Sequence, residues 1–265
     1  MKHKKRPSKN ALYCVFSPVL THNSTAPQNR SKGLKRVSHP IGIFRIFVPE
    51  MKPREHHIQD LISEGEHQML DFKFEISDSK KIARSLAAFA NTDGGRLLVG
   101  VKDNGAIAGV RSQEEIHMIE AAAEMYCQPP VHYSTKEWNV NGKAVVEVII
   151  PKDTVDKHKA PDHRGVYKTF IRVADENLVA DNVLVKVWQS DKYHRAARIT
   201  FNEAETALLR YLAEHQEITT PVFQQLAHIS KRKAEGILAD FVSVGTLQLI
   251  QDSQGTIFRL NEKTD

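Results

Sequence analysis

The sequence predicts an α+β protein in two parts behind a basic tail: a mixed-sheet domain over residues 55–190, a linker over 191–200, and three helices followed by a hairpin over 201–262. Three observations carry this. Between 55 and 190, period-2 and period-3.6 apolar patterns are interleaved rather than segregated. From 201 onward three capped amphipathic helices precede two short strands. Residues 1–50 show no sustained periodicity and hold ten Lys and Arg against one acid, Glu50. The other 215 residues carry 27 basic and 31 acidic side chains, so the net charge of +5 belongs to the tail. The high isoelectric point is therefore no argument for nucleic-acid binding by the folded part.

The tail, taken as residues 1–52, is rich in Ser, Asn, Pro and Lys, a composition expected to be disordered. A charge run of this kind is more often a solvated segment than a nucleic-acid-binding arm, and both readings stay open. Met51 stands directly before the first convincing element, so translation from it would leave the tail out. "MKHKKRPSKN" followed by "ALYCVFSPVL" imitates a weak signal peptide, but polar "THNSTAPQNRSK" follows without a small-residue cleavage site. No apolar run approaches the roughly 20 residues of a membrane span. Two cysteines, Cys14 and Cys127, build neither a disulfide framework nor a CxxC zinc site. A cytoplasmic protein without membrane contact is expected.

Taking the elements in order, "EHHIQDLIS" reads as a short helix broken at Gly65. In "LDFKFEIS" the residues Phe72, Phe74 and Ile76 alternate with Asp71, Lys73 and Glu75, predicting a strand with one core face and one face to solvent or a site. Asp78 or Ser79 caps "KKIARSLAAFANT", whose Ile82, Leu86 and Phe89 recur at helical spacing. The pair Gly94-Gly95 closes that helix. "RLLVGVKD" reads as a buried strand, Asn104-Gly105 as a hairpin turn and "AIAGV" as its return strand. A capping box from Ser112 to Glu115 is expected to open the helix that Pro129-Pro130 stops. A second hairpin turns at Asn141-Gly142, and "VYKTFIRVADENLVA" and helical "NVLVKVW" complete the domain. Beyond the linker, Asn202, Thr219 or Thr220 (with Pro221 at the first helical position) and Ser230 cap three helices. "TLQLIQDSQGTIFRL" is a hairpin. Three helices and a hairpin is the winged helix-turn-helix layout.

The glycines between Gly94 and Gly109 invite a phosphate-loop reading, which the order of elements opposes. A phosphate loop runs from strand to helix, so that amides and the positive helix end face the phosphates. Here "NTDGG" ends a helix, where carbonyls and the negative dipole end would repel them. ATP is not expected. The acids are more suggestive. Glu66 precedes the first strand, Asp71 and Lys73 share its polar face, and Asp103 ends the strand entering the hairpin. If the two strands are neighbours, three carboxylates could hold Mg²⁺ or Mn²⁺ for phosphodiester cleavage, with Lys73 stabilising the developing charge. From spacing alone, a solvated strand face and a turn aspartate explain the same residues.

"GEHQMLDFKFEI", "IARSLAAFANTDGGRLLVGVKDNGAIAGV" and "YKTFIRVADENLVA" together resemble the Schlafen-type AlbA-like domain, over about residues 58–180. The resemblance implies a nucleic-acid-associated protein, expected to be a bacterial transcriptional regulator because members often carry a winged helix behind the domain. Some animal relatives are endoribonucleases with three acidic residues. The E-x4-E-F-K pattern and the acid after "GV" fall here on Glu66, Asp71 and Asp103, with Asp at the middle position where Glu is commoner, one methylene shorter. The zinc site of those relatives lacks support, since Cys127 and His132 have no two further ligands. Two functions of different class follow. In the favoured one, DNA or alternatively RNA is bound non-enzymatically by Lys231, Arg232 and Lys233 at the start of the third helix, by Arg259 on the wing and by Arg195 and Arg198 in the linker. Against it, residues 201–265 hold six basic and nine acidic side chains, so only a local patch can serve. The alternative is a metal-dependent endonuclease. A homodimer through the AlbA-like sheet is a third, blander expectation.

Overall fold

The computed structural model describes residues 12–14 and 56–261. Strand β1 (Leu12–Cys14) comes first, then α1 (His57–Glu64), β2 (Leu70–Lys73), α2 (Ser79–Asn91) and β3 (Gly95–Val99). Helix α3 (Glu114–Glu124) leads to the hairpin β4 (Ser134–Val140) and β5 (Lys143–Ile150). These strands form a mixed sheet of order β2-β3-β5-β4, with β2 parallel to β3 and the other pairs antiparallel. Its core strands are covered on both faces. Leu97 and Val99 pack with Ile82, Leu86 and Phe89 of α2 and Ile119 of α3, while Leu70, Phe72, Leu98 and Val145 pack with Ile58 and Leu61 of α1.

A three-stranded antiparallel sheet, β6 (Lys159–Pro161), β7 (Tyr167–Val173) and β8 (Glu176–Val179), lies on α2. Buried Asn91 fastens the two together: its Nδ2 donates to the carbonyls of His158 and Phe170, both at 2.8 Å, and its Oδ1 accepts from His158 N at 2.7 Å. Helix α4 (Asn182–Lys192) follows, then α5 (Glu203–His215), β9 (Glu217–Ile218), α6 (Thr220–Ala227), α7 (Lys231–Ser243) and the hairpin β10 (Leu247–Asp252) and β11 (Gly255–Leu260). Val183, Leu184 and Val187 of α4 share one core with Leu208, Phe223, Leu238, Phe241 and Phe258. The second four-stranded sheet has the order β1-β10-β11-β9.

Local signals proved dependable where both partners lie within a few residues. Asp78 accepts from the backbone of Lys80 and Lys81, Asn202 and Glu205 make a full capping box, and the side chains of Thr219 and Ser230 cap α6 and α7. Gly94 adopts φ +72° and donates its N–H to Phe89 O at 2.9 Å, the left-handed helix ending expected of it.

Four expectations need correction. The strand "LDFKFEIS" stops at Lys73, and Ile76 joins the α2 core rather than the α1 side on which Phe72 sits. Its polar face is not solvent-facing at Asp71, which is 4% exposed. The return strand "AIAGV" is reduced to one bridge, Val101 to Ile107, because β2 and β5 already occupy both edges of β3. Ser112 and Glu115 make no capping box: Glu115 is buried and its carboxylate accepts from Ile76 N at 3.1 Å and Arg111 N at 2.9 Å. Of the expected disordered tail, only Leu12–Cys14 is described, as an edge strand, and the rest of residues 1–52 lies outside the described residues.

Candidate functional site

Glu66 and Asp71 come together beneath β7. Glu66 precedes β2 and accepts from Phe72 N at 2.9 Å. Asp71 faces Arg172, a β7 residue that is 1% exposed in spite of its charge. The Arg172 guanidinium donates to Asp71 Oδ1 at 3.3 Å, to Asn177 Oδ1 at 3.2 Å and to the carbonyls of Leu70 and His67 at 3.4 and 3.5 Å, and it lies 5.0 Å over the Phe89 ring. Lys73 Nζ stands 2.8 Å from Asp71 Oδ2, an ion pair without hydrogen-bond alignment, and the ammonium donates to Phe72 O at 2.7 Å. Burial, reinforced by the hydrogen bond with Asp71, pushes the Glu66 carboxyl above its usual range.

Asp103 sits in the exposed turn after β3. Among the described residues no group of three or more His, Cys, Asp and Glu side chains is placed to hold a metal ion. Glu66, Asp71 and Asp103 therefore do not gather as a three-carboxylate cage. Two cations already balance Asp71, whereas Mg²⁺ or Mn²⁺ needs a surplus of anionic oxygen. The residues present do not fit the ion that the acidic pattern implied.

The glycines at the end of α2 border a cleft of about 400 Å³ lined also by Glu64, His67, Asp93, Arg96 and Lys152. Its polar side chains are partnered, Lys152 with Asp93 at 3.5 Å, His67 with Glu64 at 3.2 Å and Arg96 with Glu147 outside the cleft at 3.1 Å. The Gly94 amide is spent on Phe89 O, and a Cβ there would stand 2.8 Å from Ile150 O and Lys152 N. The glycine is there for backbone packing and offers no amide to a phosphate.

The basic residues singled out from the sequence fall into three places. Lys231, Arg232 and Lys233 are exposed on the first turn of α7, with Lys231 Nζ 3.9 Å from Glu235. Arg195 and Arg198 are also exposed, but they lie by Asp240, whose carboxylate accepts from the Arg198 backbone and feels the charge of Arg195. That is about 13 Å along α7 from Lys231, at 1.5 Å per residue. Arg259 is on β11 beside β9, with its guanidinium 2.6 Å from Glu217 Oε2. Each of the three places has its own acidic neighbour: Glu235, Asp240 and Glu217.

Among the buried charges that sequence reasoning did not single out, two stand inside strands. Arg172 is one. Glu147, 1% exposed on β5, is the other, and it accepts from Trp138 Nε1 at 3.0 Å and pairs with Arg96 and His57, each at 3.1 Å. A signal existed for both: a lone charge inside an apolar strand, "TFIRVA" and "VVEVII", must find buried partners.

Residues 66–181 match the family model described as Schlafen, AlbA_2. Among solved structures, the chain is similar to the DIP2311 protein from Corynebacterium diphtheriae at 19% identity and a TM-score of 0.38, covering 73% of this chain and 34% of that one. It is also similar to the N-terminal domain of a RecG-related protein from Nitrosomonas europaea at 21% identity and a TM-score of 0.30, covering 47% of this chain and 95% of that one. The chain thus spans about a third of the length of the first. No curated protein matches it.

Proposed function

We propose that this chain, which carries a Schlafen AlbA_2 domain over residues 66–181, is a non-enzymatic nucleic-acid-binding protein, and specifically a DNA-binding transcriptional regulator that contacts duplex through its C-terminal unit. The family match supports the nucleic-acid association. The order α5-β9-α6-α7-β10-β11 supports a winged helix-turn-helix, with α7 as the helix for the major groove.

One observation carries the proposal: the placement of Lys231, Arg232 and Lys233 on the first turn of α7, which holds no acid. Cations there oppose the positive end of the helix dipole and cost stability, about 0.3–1 kcal/mol each at exposed positions. Of the three, only Lys231 has an acidic neighbour within 4 Å among the described residues, Glu235. Three cations placed against their own helix are poor structure and good phosphate ligands. Replacing all three with alanine should leave the fold intact or slightly firmer while weakening binding to a duplex and flattening the salt dependence by about 0.9 log units per lost phosphate contact. Unchanged affinity and slope would remove α7 from the mechanism. A parallel titration with single-stranded RNA separates a DNA from an RNA target.

A further inference from the structure

The segment between α4 and α5, residues 193–201, turns its two rings to solvent. Tyr193 is 73% exposed and Phe201 is 69% exposed, and no other described Phe, Tyr or Trp is exposed. Neither ring makes a stacking or cation–π contact among the described residues. Arg195 and Arg198 stand between them in the chain and are exposed as well. Asp240 accepts from the Arg198 backbone, yet neither guanidinium has a carboxylate within 4 Å among the described residues.

The backbone that carries these side chains is held in place. His194 N donates to Asp191 O at 3.1 Å, Arg195 N to Ser190 O at 2.8 Å and Thr200 N to Glu205 Oε2 at 2.8 Å. Ile199 packs inward on the core that α4 shares with α7. Phe201 has φ +51°, a strained choice for a side chain so bulky. It also stands one residue before the Asn202 cap, where an apolar side chain ordinarily packs on the fourth helical residue. That residue is Thr206, whose hydroxyl donates to Phe201 O at 3.2 Å while the ring stays in water. The fold therefore presents the ring without using it.

The chemistry of the segment selects its partner. "KYHRAARITF", residues 192–201, contains three Lys and Arg and no acid. A second copy seated here about a twofold axis would set these cations against themselves. Duplex keeps its base faces inside the stack, whereas an unpaired strand offers base faces and phosphates together. We propose that residues 193–201 are a contact surface for single-stranded nucleic acid, with Tyr193 and Phe201 stacking on unpaired bases and Arg195 and Arg198 meeting the phosphates. This surface is separate from the first turn of α7, since Asp240 beside it lies about 13 Å along that helix from Lys231. The inference goes beyond the duplex reading and stands without it.

The test uses the full chain and two fluorescent probes of about 12 nucleotides, oligothymidylate as DNA and oligouridylate as RNA, titrated by anisotropy between about 50 and 200 mM salt. Tyr193→Ala with Phe201→Ala should weaken binding at least about 25-fold and leave the salt slope unchanged, because stacking releases no counterions. Tyr193→Trp with Phe201→Trp should bind as tightly as the wild type. Arg195→Gln with Arg198→Gln should make the slope shallower by about 1.4, at about 0.7 for each contact to a single strand. All four side chains are exposed, and thermal melting checks that each variant is folded. The probe bound more tightly identifies the target as DNA or RNA. No wild-type binding to either probe at about 50 mM salt, or binding that the double alanine variant retains, overturns the inference. An altered oligomeric state in that variant, without probe binding by the wild type, overturns it too and assigns the rings to a protein contact. The triple alanine variant of Lys231, Arg232 and Lys233 should keep both probes, and loss of them there would place the single strand on α7 instead. Probe binding by a wild type that binds no duplex removes the duplex reading alone.

Discussion

Replacing Arg172 with methionine should cost the fold about 3–5 kcal/mol, the usual penalty for removing one partner of a buried ion pair. The guanidinium is 1% exposed and the Asp71 side chain 5%, so water cannot substitute for the lost donors. Methionine keeps most of the volume over Phe89, which confines the loss to charge and hydrogen bonding. Asp71 would keep its hydrogen bond with Glu66 and the ion pair with Lys73 but lose its guanidinium donor, and Asn177 Oδ1 would lose a donor as well, at about 1–3 kcal/mol for a group left unsatisfied. Urea unfolding is the assay. With a slope near 2 kcal/mol/M, the midpoint should fall by roughly 1.5–2.5 M. Adding Asp71→Leu to the same chain removes the stranded charge and should restore much of the loss, because Lys73 can still reach water. A loss below about 1 kcal/mol in Arg172→Met, or a double variant as unstable as the sum of the singles, would refute the view that this pair fastens β7 to β2.

The Glu66 carboxyl is held above its usual range, so folding favours its neutral form; that contribution is full below the unfolded value near 4.5 and is lost as pH rises through the folded one. Glu66→Gln, which keeps the acceptor for Phe72 N and a hydrogen-bonding partner for Asp71, should therefore gain stability relative to wild type as pH rises from 4 to 7, and a difference that shrinks over that range would contradict the upward shift of the Glu66 carboxyl. Gly94→Ala should destabilise by more than about 1–2 kcal/mol, since φ +72° is left-handed and the new Cβ meets backbone at 2.8 Å; a neutral result in thermal melting would show the turn to be pliable. Calorimetric titration with Mn²⁺ should give no binding that Asp71→Asn abolishes, and a saturable site lost in that variant would revive the metal-dependent nuclease.

Much of the fold was legible in the sequence because its signals are short-range. The caps at Asp78, Asn202, Thr219 and Ser230 and the turn at Asn141-Gly142 are each decided within a few residues. What could not be read depends on partners far along the chain. Glu115 has the spacing of a capping box, yet the hydrogen bonds it makes include one to Ile76 N, 39 residues away. Asp71 looks like a solvated or metal-facing acid until Arg172, 101 residues later, is folded against it. The hairpin after β3 has ordinary turn chemistry at Asn104-Gly105, but whether "AIAGV" could pair depended on β5 taking the free edge. Period and capping say what a segment prefers; they do not say which edge or which charge it will meet.

The claim that nucleic acid meets the first turn of α7 is tested most directly by photo-crosslinking. Benzoylphenylalanine placed at Arg232 and, in a second protein, at Glu137 on the edge strand β4 of the other sheet would be irradiated with labelled duplex drawn from a random pool by binding. Crosslinking from position 232, competed by unlabelled duplex and absent from position 137, is the predicted result. Crosslinking from 137 without any from 232 would place the interface on the AlbA_2 sheet and contradict the proposal.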